Sequence, residues 1–372
     1  MSGGLSIPKL STPADVERLW TKAAPLTADN SSPEFGLDEQ CRYVGIVRSP
    51  APADVEQFNS AGGVIDPMPT QLGAFRLYIA RPWWPEIWSI GIYGGPSPLS
   101  ISPLPDVNNP VLTRDDVCDV PACFVADPFM VRDGDTWHMF FEVMNWRAGR
   151  GEIALASSGD AIHWRYRQVV LAEPFHLSYP HVFRHQGEWY MVPESYQAGE
   201  VRLYQASEFP FHWSRASTLL TGDYLVDSTP FHRDGRSWMF VDASPRREHD
   251  TLRLFWADDL RGPWAEHPQS PLIAGDATRA RPAGRALDLH GHLIRFAQNC
   301  QPAYGTQVRA FEVTELTADS YREHPVGPDP LLAPSGAGWN AAGMHQIDAH
   351  ELSPGRWIAC VDGWRPTVSC RD

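Results

Sequence analysis

The feature that most constrains the fold of this chain is a pattern of about fifty residues that recurs along it. Each copy begins with a short apolar strand, a turn at Gly and a second strand rich in aromatic residues, which is the pattern of a β-hairpin. A further pair of strand-like segments follows, so that a complete unit has four strands. The hairpins lie at residues 126–142, 179–194 and 229–242, with looser copies at 281–298 and 345–362.

Aromatic residues near the end of each unit give the period of the repeat. Trp164, Trp213, Trp264 and Tyr321 are 49, 51 and 57 residues apart. Four strands in a period of about fifty residues are typical of the blades of a β-propeller. Four complete units fit between residues 124 and 334. The sequence therefore predicts an all-β fold built from propeller blades.

The fifth unit lacks its outer strands at the C-terminal end, because it begins near His345 and only ten residues follow Asp362. These strands must come from elsewhere in the chain, and the alternating segments 87–93 and 99–101 can supply them. We therefore expect a five-bladed β-propeller over residues 86–372, closed by pairing its N-terminal side with its C-terminal side.

Residues 1–85 do not follow the repeat and are expected to form an accessory segment packed on the propeller. Residues 13–20 predict a short helix with Thr12 as its N-cap. Two strands and an intervening loop rich in Pro, Ala and Gly are expected at 41–47, 75–80 and 49–73.

Composition narrows the class of partner. The formal net charge of −14 argues against nucleic acid or an anionic membrane, because phosphate binding needs clustered Lys and Arg. No stretch approaches the roughly 18 apolar residues of a membrane helix, and residues 1–20 lack the pattern of a secretory signal. The six cysteines include no Cys-x-x-Cys pair, which fits reduced thiols. We expect a cytoplasmic protein with no cofactor.

In a propeller the first strand of each blade lines the central channel, so equivalent positions of the repeat meet in space. The first such ring is predicted to contain Asp127, Tyr179, Thr229, Arg281 and His345. A second ring, at the ends of the second strands, is predicted to contain Glu142, Glu194, Asp242, Gln298 and Asp362. A carboxylate, a phenol, a hydroxyl, a guanidinium and an imidazole at one axial position are more typical of a functional site than of a core.

These rings supply the chemistry of glycosidic bonds, which needs one carboxyl group as acid and another as base or nucleophile. The candidate catalytic residues are Asp127, Glu142, Glu194, Tyr179 and His345. The candidate substrate-binding residues are Arg281, Asp242, Trp146, Asp227 and Gln298, with Trp146 as a stacking platform for a sugar and Arg281 as a grip for a carboxylate or an anionic substrate group. Asp127 has a structural alternative, since Asp-Pro often begins a strand.

No metal site is predicted. His345, Asp348 and His350 are close in sequence, and imidazole and carboxylate are metal ligands. On a strand, however, Asp348 and His350 share one face whereas His345 points to the other.

Several strings resemble the N-terminal domain of plant glucosamine inositolphosphorylceramide transferases and of related bacterial proteins. They lie at residues 124–130, 139–145, 175–180, 192–194, 109–113, 280–284 and 343–345, and the resemblance covers residues 86–366. It implies a five-bladed propeller related in shape to family 43 glycoside hydrolases. In that case Asp127 matches the general base and Glu194 is the nearest candidate for the general acid, while Tyr179 replaces the Asp that tunes the acid. The glycosyltransferase domain of the plant proteins is expected to be absent, so their transferase activity is not implied.

Three hypotheses remain open at this point. The first, which we favour, is a glycosidase-like enzyme that acts on a sugar-containing small molecule or a glycoconjugate in the central pocket. The second is a propeller that binds a glycan or a lipid head group without catalysis. The third is a cyclase or isomerase of bacterial natural-product biosynthesis that uses Asp127, Tyr179 or His345 as acid and base.

Overall fold

A computed structural model describes residues 85–366 continuously and, before them, residues 12, 14–15, 35–37, 43–47, 63–72 and 75–82. In these residues the strands form six four-stranded antiparallel sheets. Short 3-10 helices lie at Arg114–Asp116, Tyr196–Ala198 and Gly338–Asn340. Among the described residues we find no helix with the length and apolar character needed to cross a membrane.

The N-terminal segment contributes one sheet, in the order β1-β2-β4-β3. Its strands are β1 (Phe35–Leu37), β2 (Tyr43–Val47), β3 (Gly63–Leu72) and β4 (Phe75–Pro82). The strands expected near 41–47 and 75–80 are present, but the loop expected at 49–73 is wrong where β3 lies. The Pro-rich composition suggested a loop, but β3 forms a hairpin with β4. The prolines are tolerated because the register between these strands is irregular from Pro67 onward.

The helix expected at 13–20 is described only at Ala14 and Asp15. The Thr12 hydroxyl accepts a hydrogen bond from the Asp15 backbone N–H at 3.3 Å, as expected of an N-cap. The remaining residues of the expected helix lie outside the described part of the chain.

The propeller begins with β5 (Glu86–Ser97) and β6 (Ser100–Pro103). The first complete blade contains β7 (Ala122–Asp133), β8 (Thr136–Asn145), β9 (Arg150–Ser158) and β10 (Arg165–Leu171). The second contains β11 (Ser178–His185), β12 (Glu188–Glu194), β13 (Glu200–Glu208) and β14 (His212–Thr221). The third contains β15 (Val226–Arg233), β16 (Arg236–Asp242), β17 (Leu252–Ala257) and β18 (Ala265–Glu266). The fourth contains β19 (Leu287–Leu289), β20 (His292–Asn299), β21 (Gln307–Leu316) and β22 (Tyr321–Pro325).

The fifth blade closes the ring as the sequence predicts. It combines β23 (Ile347–Ser353) and β24 (Arg356–Pro366) with β5 and β6, in the order β23-β24-β5-β6. The pairing of β24 with β5 runs without interruption from Trp357 opposite Gly95 to Pro366 opposite Glu86. The all-β, five-bladed propeller is thereby confirmed.

The aromatic residues that mark the repeat have one structural task in three blades. The indole N–H groups of Trp164, Trp213 and Trp264 each donate to a backbone carbonyl three or four residues earlier, at 3.0, 3.0 and 3.1 Å. These bonds fasten the turn between the third and fourth strands. These tryptophans are partly buried, and an indole N–H removed from water needs a partner, which explains why the residue recurs at the same place in the unit.

A β-bulge near the start of the innermost strand shapes the first three blades. Between β7 and β8 the register shifts after Ala126, and Asp127 adopts a φ of 54°. Tyr179 and Asp227 occupy the same place in the second and third blades, with φ of 44° and 48°. Left-handed backbone is unusual for residues other than Gly and turns these side chains out of the ordinary alternation.

This register corrects the ring expected from the sequence. The sequence pattern aligns Thr229 with Asp127 because each precedes a proline, but the residue equivalent to Asp127 in the third blade is Asp227. A two-residue offset keeps the same face of a strand, so the alternation of side chains did not reveal it.

Candidate active site in the central pocket

A cavity of about 300 Å³ opens where the innermost strands begin and their hairpin partners end. Four carboxyl side chains belong to its wall, those of Glu86, Asp127, Glu142 and Glu194. Five aromatic side chains belong to it as well, those of Trp88, Phe124, Tyr196, Tyr224 and Tyr304. Acidic groups that face an aromatic wall suit a ligand with both hydroxyl groups and apolar ring faces.

Asp127 lies at the bulge of β7 and is 6% exposed. One oxygen, Oδ2, accepts the Tyr179 backbone N–H at 3.1 Å, and the other, Oδ1, lies 3.5 Å from His345 Nε2. Burial raises the pKa of Asp127 to about 7, with Asp362 and Asp227 raising it further and His345 opposing them. This carboxyl group therefore exchanges its proton near neutral pH.

His345 is the positive partner of Asp127. Its Nδ1 lies 2.8 Å from Asp362 Oδ1, so that Nδ1–H donates to Asp362 and Nε2 faces Asp127. The ring stacks on Trp88, with centroids 4.0 Å apart. Burial lowers the pKa of His345, but Asp362 and Asp127 outweigh burial and raise it overall. Asp362 therefore holds the imidazole in place and favours its charged form.

Glu142 ends β8 and is 5% exposed. Among the described residues its Oε1 has no hydrogen-bond partner, and His176 Nε2 lies 3.5 Å away. Burial raises the pKa of Glu142 well above its usual value, and the charges of Asp127 and Glu194 add to this. These effects favour the protonated form of Glu142.

His176 is neutral beside Glu142. Burial, and to a smaller extent Arg281, lower the pKa of His176 to about 4. Its Nδ1 lies 2.9 Å from the Gly151 backbone N–H and must accept from it. The ring proton is then on Nε2, which is directed at Glu142.

Glu194 and Asp227 share one cation, Arg281. Arg281 binds Asp227 through Nε–Oδ2 at 2.5 Å and Nη2–Oδ1 at 3.2 Å, and Nη2 lies 3.5 Å from Glu194 Oε2. The bidentate grip expected of Arg281 is thus made on a carboxylate of the protein. Burial raises the pKa of Glu194 well above its usual value, Asp227 raises it further and Arg281 opposes them.

Tyr179 does not reach the pocket wall and is fully buried. Its hydroxyl accepts the Gly284 backbone N–H at 2.8 Å and donates at 2.8 Å to the Thr229 hydroxyl, which donates to the Asp227 carbonyl at 3.0 Å. Both hydroxyl groups in this series of hydrogen bonds donate to one partner, and that of Tyr179 also accepts from another. The geometry favours a structural role for Tyr179 over the acid–base role expected from the sequence.

Four candidates for substrate binding also lie outside the pocket wall, among them Asp227, which Arg281 binds. Asp242 accepts the backbone N–H and hydroxyl of Ser244 at 3.1 and 2.6 Å. Gln298 donates to Asp227 Oδ2 at 2.9 Å and supports the carboxylate that Arg281 binds. Trp146 packs on the cluster that contains Trp88 and Phe124. These side chains contact residues next to the pocket and do not line the pocket themselves.

The sequence prediction missed most of the aromatic wall. Trp88 was recognised only as part of a closing strand, and Tyr196, Tyr224 and Tyr304 follow no repeat. His176 stands in one of the strings that carry the family resemblance, which was the one available signal for it. Residues from connections of unequal length have no equivalent in neighbouring blades, so the repeat does not predict them.

The spacing of Asp127, His345 and Asp362 would allow a metal ion, since one ligand atom from each lies within 4.8 Å of the others. In the structure Asp362 accepts the backbone N–H groups of Asp127, His345 and Gln346. The group is therefore a hydrogen-bonded network. Asp348 and His350 bond to each other at 3.0 Å away from the pocket wall, so they do not join His345 in one site.

A family model described as the N-terminal domain of glucosamine inositolphosphorylceramide transferase 1 matches residues 85–364. The protein of that name from Oryza sativa subsp. japonica is 36% identical over 298 residues, which cover 75% of this chain and 40% of the rice protein. The Arabidopsis thaliana protein is 34% identical over 300 residues, which cover 75% of this chain and 39% of the plant protein. The chain thus spans about 40% of the length of these curated relatives.

Among solved structures, a family 117 glycoside hydrolase from Zobellia galactanivorans has a TM-score of 0.44 and 14% identity. The match covers 64% of this chain and 83% of that one. A likeness at this level carries no argument about chemistry.

The curated relatives correct one expectation. They come from rice and Arabidopsis, and none has a name that refers to natural products. The prediction of a bacterial protein of natural-product biosynthesis is therefore wrong.

Proposed function

This chain belongs to the family of the N-terminal domain of glucosamine inositolphosphorylceramide transferase 1, and from that premise we propose that it is a carbohydrate-active enzyme. Its substrate is a sugar-containing small molecule or glycoconjugate, whose glycosidic bond it makes or breaks in the central pocket. The name of the relatives includes an amino sugar, which supports a substrate of this class.

The observation that carries the proposal is the difference in protonation between carboxyl groups of one pocket. Asp127 exchanges its proton near pH 7 beside His345, whereas the surroundings of Glu142 raise its pKa well above the usual value and favour its protonated form. A carboxyl group that can lose its proton near pH 7 and a second one that favours its protonated form suit base and acid catalysis of a glycosidic bond. Glu142 suits the acid better than Glu194, because Arg281 lies 3.5 Å from Glu194 and favours its ionised form.

In the proposed reaction, Glu142 donates its proton to the leaving oxygen as the bond from that oxygen to the anomeric carbon breaks. Asp127, ionised and paired with His345, takes the proton of the incoming hydroxyl group as the new bond to carbon forms. Water as the incoming group gives hydrolysis, and the hydroxyl group of a second molecule gives transfer. Both outcomes use the same two side chains.

The charges of the pocket support a neutral or cationic sugar over an anionic one. Glu86, Asp127, Glu142 and Glu194 line the pocket, and its guanidinium, that of Arg281, is engaged by Asp227. An anionic group in the ligand would have to compete with Asp227 for Arg281, and with Asp127 and Asp362 for His345, which disfavours its binding.

One observation favours the alternative of binding without catalysis. Asp127 accepts the Tyr179 backbone N–H, which is the satisfied state expected of a structural aspartate. A glycan-binding pocket would keep the aromatic wall and need no proton exchange at Asp127.

The test is mass spectrometry of a panel of glycosides and glycolipids after incubation with wild type, Asp127→Asn and Glu142→Gln. The matched control is Glu152→Gln, since Glu152 is also a buried glutamate but bonds to Asn145 outside the pocket wall. We expect product from wild type and the control, and a loss of about 10²–10⁴ in rate for the two pocket variants. Product formed equally by all four proteins, or a glycan bound by all four without product, would contradict the proposed catalysis.

A further inference from the structure

A second cavity, of about 230 Å³, lies at the opposite ends of the same hairpins. We name it the far-side pocket; its polar wall contains His181, Arg184, His185, His232, Arg233 and Arg285. On β11, Ser178 lines the central pocket and Arg184 lines the far-side pocket. Six residues of strand separate them by about 20 Å, so the two cavities are distinct sites.

The far-side pocket has a polarity opposite to that of the central pocket. Three guanidinium groups and three imidazole rings stand in its wall beside one carboxylate, Asp288. That carboxylate is paired with Arg233 at 3.3 Å. Arg285 is held from behind by Asp348 at 2.8 Å. Two ion pairs therefore fix two of the guanidinium groups, and Arg184 adds a positive charge in a protein whose formal net charge is −14.

His181, in the wall of this pocket, carries a buried hydrogen-bond donor. His181 is 1% exposed, and its Nε2 lies 3.3 Å from Arg285 Nη1, which can only donate. Nε2 must accept, so the ring proton is on Nδ1. Among the described residues Nδ1 has no hydrogen-bond partner. Leaving a buried N–H without an acceptor is unfavourable, and the residue that carries this donor belongs to the wall of the far-side pocket.

We propose that the far-side pocket binds a phosphate group, either as free phosphate or as the phosphate ester of a small molecule. Phosphate supplies acceptor oxygens and negative charge for a wall of N–H donors, and guanidinium groups match its geometry. The cavity is smaller than the roughly 300–1,000 Å³ of ordinary ligand pockets, which limits the ligand to a small molecule. This inference is independent of the chemistry proposed for the central pocket.

The test is titration calorimetry with inorganic phosphate, glucose 6-phosphate and glucose. Arg184→Gln removes a positive charge from the far-side pocket and His181→Gln replaces its buried imidazole, whereas Arg246→Gln removes an exposed arginine that does not line it. Glu142→Gln changes only the central pocket. We expect at least one phosphate compound to bind wild type, Arg246→Gln and Glu142→Gln equally, and Arg184→Gln and His181→Gln about tenfold more weakly. Glucose should not bind the far-side pocket.

The two phosphate compounds distinguish the sources of the ligand, since free phosphate and a sugar phosphate will differ in affinity. Failure of both to bind wild type, or equal affinity in Arg184→Gln, would overturn the proposal. If His181→Gln does not fold, Arg184→Gln decides, because its side chain is exposed. Loss of phosphate binding in Glu142→Gln would assign the phosphate to the central pocket and would also overturn the inference.

Discussion

At the scale of single residues, the site depends on how burial and neighbouring charges divide the protons among carboxyl groups. Asp127 has His345 within 3.5 Å, whereas Glu142 has only a neutral histidine at that distance. The same type of side chain therefore takes two roles because its surroundings differ. A third carboxyl group, that of Asp227, is bound by Arg281.

The pKa of Asp127 predicts a pH dependence of stability. Folded Asp127 holds its proton up to about pH 7, whereas the unfolded chain releases it near the ordinary value of 3.8. Its contribution is therefore fully present below about pH 4 and is lost as the pH rises through 7. Between these values wild type should lose, relative to Asp127→Asn, on the order of a few kcal/mol, at about 1.4 kcal/mol per pKa unit.

Urea unfolding of both proteins at a series of pH values measures this difference. Asp135→Asn, at a fully exposed aspartate, is the control and should follow wild type. Parallel stability curves for wild type and Asp127→Asn would contradict the raised pKa.

At the scale of elements, the bulges of β7, β11 and β15 and the close contact between neighbouring blades position the site. Gly284 lies where the fourth blade meets the fifth, and its N–H bonds to the Tyr179 hydroxyl. A Cβ at Gly284 would lie 1.8 Å from the Ile347 carbonyl oxygen. No side chain fits there unless the two blades move apart.

Gly284→Ala should therefore destabilise the propeller more than an alanine at a glycine with open space. Gly291 is the matched control, because its φ is also positive (+91°, against +130° for Gly284) and a Cβ there meets nothing within 4 Å. We expect about 1 kcal/mol for Gly291→Ala from the left-handed backbone, and about 1–3 kcal/mol more for Gly284→Ala from the clash. Urea unfolding measures both changes in the free energy of unfolding. Equal losses would contradict the prediction, because they would show that the two blades can move apart at little cost.

At the scale of the whole molecule, stability depends on closing the ring between the two ends of the propeller. β5 supplies a strand that pairs with β24 over ten residue pairs, so the last blade exists only when distant parts of the chain meet. Contacts of such long sequence separation form at a high cost in loop entropy and bind the first and last blades into one unit.

Ile92→Ala tests this closure. Ile92 is fully buried in the cluster that contains Ile358 and Cys360 of β24. We expect a loss of about 2–5 kcal/mol and faster hydrogen exchange in the amides of β24. Ile101→Ala, on the outer strand β6, is the control and should cost less because Ile101 is only partly buried. Unchanged exchange in β24 after Ile92→Ala would contradict closure by β5.

The repeat in the sequence determined the number of blades, the strands that close the ring and the carboxyl groups at the ends of the second strands. It could do so because each blade buries its faces with the same alternation, which is visible in a single unit. The repeat therefore predicts that Glu142 and Glu194 lie at one end of the channel, as they do in the structure.

Only the tertiary structure decided which predicted side chains share the pocket. Asp227, and not Thr229, occupies the position equivalent to Asp127, because a bulge shifts the register by two residues without changing the face of the strand. Tyr179 lies in a buried hydrogen-bond chain, and Tyr224 and Tyr304 reach the pocket from connections that follow no repeat. The far-side pocket likewise collects His181 and Arg285 from different blades. Contacts between side chains of different blades depend on how the blades pack against one another, which the periodicity within one blade does not encode.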